Sequence, residues 1–172
     1  HVHGAVANLE YRLLPEVALS DIVEDAVAGL RELADSTGSR LFVIGHSAGA
    51  HLAVTAAMRL PERVVGAVGI SGIYDLTPLP WTFLHQEVGL TAADLAGQSP
   101  LENWNAAKAD HVLCVVGEDE TPEFHRQAQV FASTHDTTTF TVPKTHHMTV
   151  LDALADVSSP LNKEIRTRIE NA

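Results

Sequence analysis

The sequence predicts an α/β domain: a mostly parallel sheet with helices on both faces. Three observations carry that prediction. Short apolar runs alternate along the chain with segments of helical periodicity. The runs are apolar on both faces, the pattern of strands covered by helices on each side. No apolar run approaches the ~20 residues needed to span a bilayer.

The elements follow in order. Residues 5–11 (AVANLEY) read as a strand. After Pro15, Ser20-Asp21 offers an N-cap, and Ile22, Val23, Ala26, Val27, Leu30, Leu33 and Ala34 recur at helical spacing up to a stop near Gly38. A strand over 40–45, a helix over 48–60 and a strand over 64–71 come next. Residues 71–110 break the rhythm with Gly72, Pro78, Pro80, Gly89 and Pro100, both tryptophans and a short helix begun by Thr91. Such an excursion off the end of a strand, at about 73–110, is where a substrate-covering cap would sit. The alternation then resumes with a strand over 111–117, a helix opening at Thr121-Pro122-Glu123, a strand over 137–142 and two closing helices. Repeats, low-complexity segments and dividing linkers are lacking, so residues 1–172 read as a single domain.

Composition narrows the function classes. Hydrophobic residues make up 45% of the 172 residues and charged ones 19%, a globular balance with material for one core. The formal net charge of −11 argues against a nucleic-acid partner, which calls for a basic face. The single cysteine, Cys114, lies in the apolar run VLCVVG; it has no internal disulfide partner and reads as a buried structural thiol, consistent with a reducing cytoplasm. No signal peptide or membrane span is expected.

The chemistry concentrates in Leu41 to Val54, LFVIGHSAGAHLAV. Gly45-His46-Ser47-Ala48-Gly49 flanks a serine with glycines at two-residue spacing, between an apolar strand and a helix. That spacing allows a tight corner with the Ser47 hydroxyl in the open. A serine hydroxyl is a poor nucleophile near neutral pH, so a working one needs a histidine base and an acid that orients the imidazole. In a doubly wound sheet such partners lie at the C-terminal ends of later strands, in the chain order serine, acid, histidine. Gly117-Glu118-Asp119-Glu120 closes one later strand, and Pro143-Lys144-Thr145-His146-His147 follows the last.

Taken together, VANLEYRLLPE (6–16), GHSAGAHLA (45–53), SGIYDLTPL (71–79), VVGEDETPEFHRQAQVFA (115–132) and HHMTVLDAL (146–154) resemble the α/β-hydrolases, in their kynurenine formamidase-like and carboxylesterase-like branch. The resemblance spans nearly the whole chain, and the SGIYDL and TPEFHRQ blocks are its narrowest parts. It implies Glu120 as the triad acid, with Asp119 as the alternative, and His147 rather than His146 as the base. It also implies the backbone N–H of Ala48 as one oxyanion donor, and it calls for no metal or organic cofactor.

The other histidines suggest no metal site. His46 and His51 match the elbow pattern of the resemblance and are expected to pack or to support the triad. His85, His111, His125 and His135 are scattered without ligand spacing, and no acid or cysteine cluster accompanies His146-His147. Lys144 reads as a solvated turn residue, while Trp81 and Phe83 are candidates for an aromatic-accepting pocket or for packing of the cap.

The resemblance also points to something missing. The family's second oxyanion donor comes from a His-Gly-Gly-type loop ahead of the YRLLPE segment; His3-Gly4 has two of its letters but lies directly before the strand over 5–11. A further family strand would lie between 5–11 and 40–45, and its absence would leave a gap in the sheet. Truncation of a longer chain, which here opens at His1, is the expectation. The implied activity is hydrolysis of a carboxylic ester or an aryl formamide such as N-formylkynurenine through an acyl-enzyme. The competing expectation is a non-catalytic hydrolase-fold remnant acting as a binding module.

Overall fold

The computed structural model describes residues 5–82, 89–104 and 112–172. Helix α1 (Leu19–Thr37) leads into strand β1 (Leu41–His46), helix α2 (Ala48–Arg59) and strand β2 (Val64–Ile70). The excursion that follows holds a 3-10 turn at Leu79–Trp81 and two short helices, α3 (Ala92–Gln98) and α4 (Pro100–Asn103). Strand β3 (Val112–Gly117), helix α5 (Pro122–His135), strand β4 (Thr138–Val142) and helices α6 (Val150–Ala155) and α7 (Pro160–Asn171) complete the chain.

The four strands form one sheet in the order β1-β2-β3-β4, every pair parallel. This arrangement explains why β3 reads as a continuous apolar run. Val112, Cys114 and Val116 face a core built with α1, α2 and α5, while Leu113 and Val115 face the other side, where Val150 of α6 and Leu161 and Ile165 of α7 cover them. Cys114 is fully buried, and burial pushes its thiol up to about 11. β4 is an edge strand, with three threonines on its exposed positions. β1 is the other edge, and its apolar residues are only partly covered, Ile44 being exposed.

Element ends follow local chemistry. Gly38, at φ 64°, closes α1 in the left-handed conformation that stops a helix at little steric cost. α1 begins at Leu19, earlier than the Ser20-Asp21 cap expected: Ala18 is the capping position, and Asp21 reaches back to accept from its N–H at 3.0 Å. Thr91 and Asp94 form a reciprocal capping box at the start of α3.

The expected strand over 5–11 does not form. Residues 5–13 carry no regular secondary structure. Leu9, Tyr11 and Leu14 instead pack against the core that α1 shares with α2 and α5, Leu9 over Gly29 of α1, and Arg12 clamps Asp25 of α1 through Nε and Nη2, both at 2.7 Å. The physical reason is pairing. An extended segment becomes a strand only when a neighbour takes its backbone hydrogen bonds, and no described strand lies beside this one.

Candidate active site

The site grows from the C-terminal ends of the three consecutive strands β1, β2 and β3, together with the turn after β4. β1 runs into α2 through Ser47, whose backbone is held at φ 56° and ψ −117°. A non-glycine residue in such a conformation stores on the order of 1–3 kcal/mol of strain. Gly45 makes the corner possible, because a Cβ there would lie 1.9 Å from the Gly49 carbonyl oxygen. At Gly49 itself an added Cβ meets no described atom within 4 Å, so the two flanking glycines are not equivalent. A serine at a helix start ordinarily caps the first turn with its hydroxyl. Ser47 makes no such bond. The hydroxyl lies 3.1 Å from His147 Nε2 instead.

The turn after β3 carries the acid. Gly117 permits the loop after β4 to close over it, since a Cβ there would fall 2.4 Å from the Thr145 carbonyl oxygen. Three hydrogen bonds join the two turns: Glu118 N–H to Val142 O, Asp119 N–H to Thr145 O, and Lys144 N–H to Glu118 Oε2. Glu120 turns inward with its side chain fully covered, while Glu118 and Asp119 remain exposed. Its Oε1 accepts from Gly117 N–H at 2.8 Å and from the Ser71 hydroxyl at 2.6 Å, and its Oε2 accepts from His147 Nδ1–H at 3.0 Å. With Nδ1–H donated to the carboxylate, Nε2 presents its lone pair to Ser47.

The His147 ring is also held on its faces. Phe124 stacks on it at 4.5 Å between centroids, and His46 lies at 4.6 Å. His46 Nε2–H donates to the His147 carbonyl at 2.7 Å, and burial lowers the basicity of the His46 ring. His51 is buried behind the elbow, where its Nε2–H donates to Gln98 O at 2.7 Å and burial likewise lowers its pKa.

The structure thus brings Ser47, Glu120 and His147 into one hydrogen-bonded chain and leaves Asp119 and His146 outside it. His125 bonds Glu118 O, and His135 bonds Leu101 O beside Trp104 and Phe131. Among the described residues no cluster of three or more His, Cys, Asp or Glu could hold a metal. Lys144 sits in an exposed turn at φ 57°. Trp81 is 90% exposed, so of its two expected roles packing is not observed among the described residues. His3, Gly4, Phe83, His85 and His111 lie outside the described residues. Ala48 is the first residue of α2, where a helix leaves its N–H groups without intrahelical partners. Sequence reasoning passed over Ser71 as a site residue; the one available signal was a serine-glycine pair at the end of a buried strand.

A parallel sheet, a strained serine between strand and helix, and an acid and a histidine on later turns together define a class. The chain belongs to the alpha/beta hydrolase fold family, which it matches over residues 1–157. Among individual proteins it is similar to a kynurenine formamidase of Salmo salar, with 26% identity over 91% of this chain and 59% of that protein. A kynurenine formamidase of Danio rerio shows 24% identity over 93% of this chain and 60% of its own length. Among solved structures, one described as a thioesterase of a Silicibacter species superposes with a TM-score of 0.80 at 29% identity, over 90% of this chain and 61% of that one. A thermostable carboxylesterase from a metagenomic library, at 20% identity and TM-score 0.71 over 92% of this chain and 67% of its own, shares the fold. The chain spans about three fifths of the length of the curated relatives it matches.

Proposed function

We propose that the chain carries the catalytic side chains of a serine hydrolase that cleaves a carboxylic ester or an aryl formamide of the N-formylkynurenine type. The observation that supports it is the continuous path from Ser47 Oγ to His147 Nε2, 3.1 Å, and from His147 Nδ1 to Glu120 Oε2, 3.0 Å. His147 takes the Ser47 proton as Oγ attacks the carbonyl carbon, and Glu120 holds the ring in the tautomer that leaves Nε2 free. The tetrahedral intermediate places its negative oxygen toward the Ala48 N–H at the start of α2. Protonated His147 then passes its proton to the leaving alcohol or amine. The resulting acyl-enzyme is released by a water that His147 deprotonates. The kynurenine formamidase, thioesterase and carboxylesterase relatives favour acyl-group chemistry.

A serine-directed fluorophosphonate applied to the whole natural protein tests this reading. Labelling that maps to Ser47 and disappears in Ser47→Ala is expected; an unlabelled native protein would leave only the binding role. Substrate class is separated by comparing a short-chain nitrophenyl ester with N-formylkynurenine. Turnover of the ester with none of the formamide would exclude the formamidase reading.

A further inference from the structure

The end of β2 has a second serine held in the left-handed region, directly beside the acid. Ser71 follows Ile70 at φ 52°, is 1% exposed, and donates its hydroxyl to Glu120 Oε1 at 2.6 Å. Glycine adopts this backbone conformation without strain, so the backbone gives no reason for a serine here. The side chain does. Glu120 is buried, and among the described residues its Oε1 takes two donors, the Gly117 N–H and this hydroxyl, leaving Oε2 aimed at His147. Two bonds from different elements on one oxygen fix the rotation of the carboxylate; one alone would let it swing.

The same dipeptide reaches the nucleophile. The Ile70 carbonyl accepts from Ser47 N–H at 2.8 Å, and the Ser71 N–H donates to Val115 O of β3 at 2.8 Å. One strand end therefore fastens the backbone of the elbow, the neighbouring strand and the free oxygen of the acid.

We infer that Ser71 is a positioning residue: its hydroxyl holds the Glu120 carboxylate in the orientation that binds His147 Nδ1–H, and it touches no substrate. The inference builds on the triad proposed above, but it can be tested without turnover. Ser71→Gly is made in the whole natural protein, with Ser71→Ala as a second variant, and the Nδ1–H proton of His147 is observed by NMR on histidine-labelled protein, assigned by its loss in His147→Gln. Wild type is expected to show a hydrogen-bonded Nδ1–H protected from solvent. Both variants should shift that resonance and speed its exchange. An unchanged resonance and exchange rate in the variants, or no such proton in wild type, would overturn the role.

Where turnover is measurable, Ser71→Gly should lower kcat about 10-fold with KM unchanged, the size expected when one hydrogen bond to a charged group is lost from the transition state. The loss should vanish in a Glu120→Gln background, because the two residues act through one link. A loss that adds in full to that of Glu120→Gln, or one confined to KM, would refute it. A protein that neither labels nor turns over substrate would sink the hydrolase reading while the Nδ1–H resonance still decides Ser71.

Discussion

Ser47 and Gly45 show how much of the site rests on single backbone positions. The Ser47 hydroxyl reaches His147 because ψ −117° turns it away from the capping position, and the corner closes because position 45 has no Cβ. Gly45→Ala places a methyl group against fixed backbone rather than a movable side chain, so it should destabilise by about 3 kcal/mol or more; Gly49→Ala should stay within about 1 kcal/mol. Thermal or urea melts of the two variants check the contrast, and equal losses would refute it. The acid offers a parallel comparison. Glu120→Gln keeps the shape of the side chain but allows the wrong imidazole tautomer, which should lower kcat by about 10³–10⁴-fold, as loss of an orienting carboxylate does elsewhere. Asp119 is exposed and its N–H, not its carboxylate, ties the two turns, so Asp119→Asn should change kcat by no more than about 2-fold. The reverse order in ester-hydrolysis rates would reassign the acid.

At the scale of elements, two blocks of sequence that lie far apart fold into one unit. Gln127 of α5 is buried; its Oε1 accepts from Tyr74 N–H and Asp75 N–H at 2.9 and 2.8 Å, and its Nε2 donates to Asp75 O and Glu123 Oε1. Arg126 adds an ion pair to Asp75 Oδ2 at 2.8 Å. The root of the excursion is thereby fastened to the helix whose start follows the acid turn. Gln127→Ala strands two buried backbone donors and should destabilise by about 2–4 kcal/mol, with faster proteolysis in residues 71–82; an unchanged melting midpoint would refute this. These blocks also show what was legible. SGIYDL and TPEFHRQ marked the family from sequence, but that they meet is a tertiary fact, as is the bond from Ser71 to Glu120. The β1, β2 and β3 runs were legible because burial on both faces writes apolar residues at every position. The segment 5–11 has a strand-like composition as well. Composition, however, records what a segment can pair with, and here the partner is lacking among the described residues, so Leu9 and Tyr11 pack against the core instead. Ser47, an acid cluster at 118–120 and the pair His146-His147 stood out because three strand ends offered them in the required order, while the preference for Glu120 and His147 came from the family resemblance. For His46 a packing or supporting role was legible from its place in the elbow but its partner was not, since nothing in GHSAG announces a bond to a carbonyl one hundred and one residues away.

Across the whole molecule, the histidines behind the elbow tie stability to pH. His51 is 3% exposed and gives its Nε2–H to Gln98 O, and burial, together with the nearby Arg59 cation, lowers its pKa from 6.5; burial does the same for His46. In the unfolded chain both rings take up a proton near the ordinary value of about 6.5. Between that value and their lower folded pKa the unfolded state binds more protons, so stability rises with pH across this window. The contribution is fully present above the ordinary imidazole range and is lost as pH falls through the folded values. Carboxylates act in a separate, more acidic window. Arg126 lowers Glu123 below 4.5, and at Asp75 burial raises the pKa while Thr77 and Arg126 outweigh it and bring it below 3.8. A urea midpoint measured from about pH 7.5 to about pH 5.5 should therefore fall with acidification before those carboxylates matter. His51→Gln, which keeps an N–H donor but cannot titrate, should start less stable and show a shallower fall. Parallel slopes for the variant and the wild type would mean that the native His51 ring takes up its proton as readily as the unfolded one, and that the pH dependence arises elsewhere.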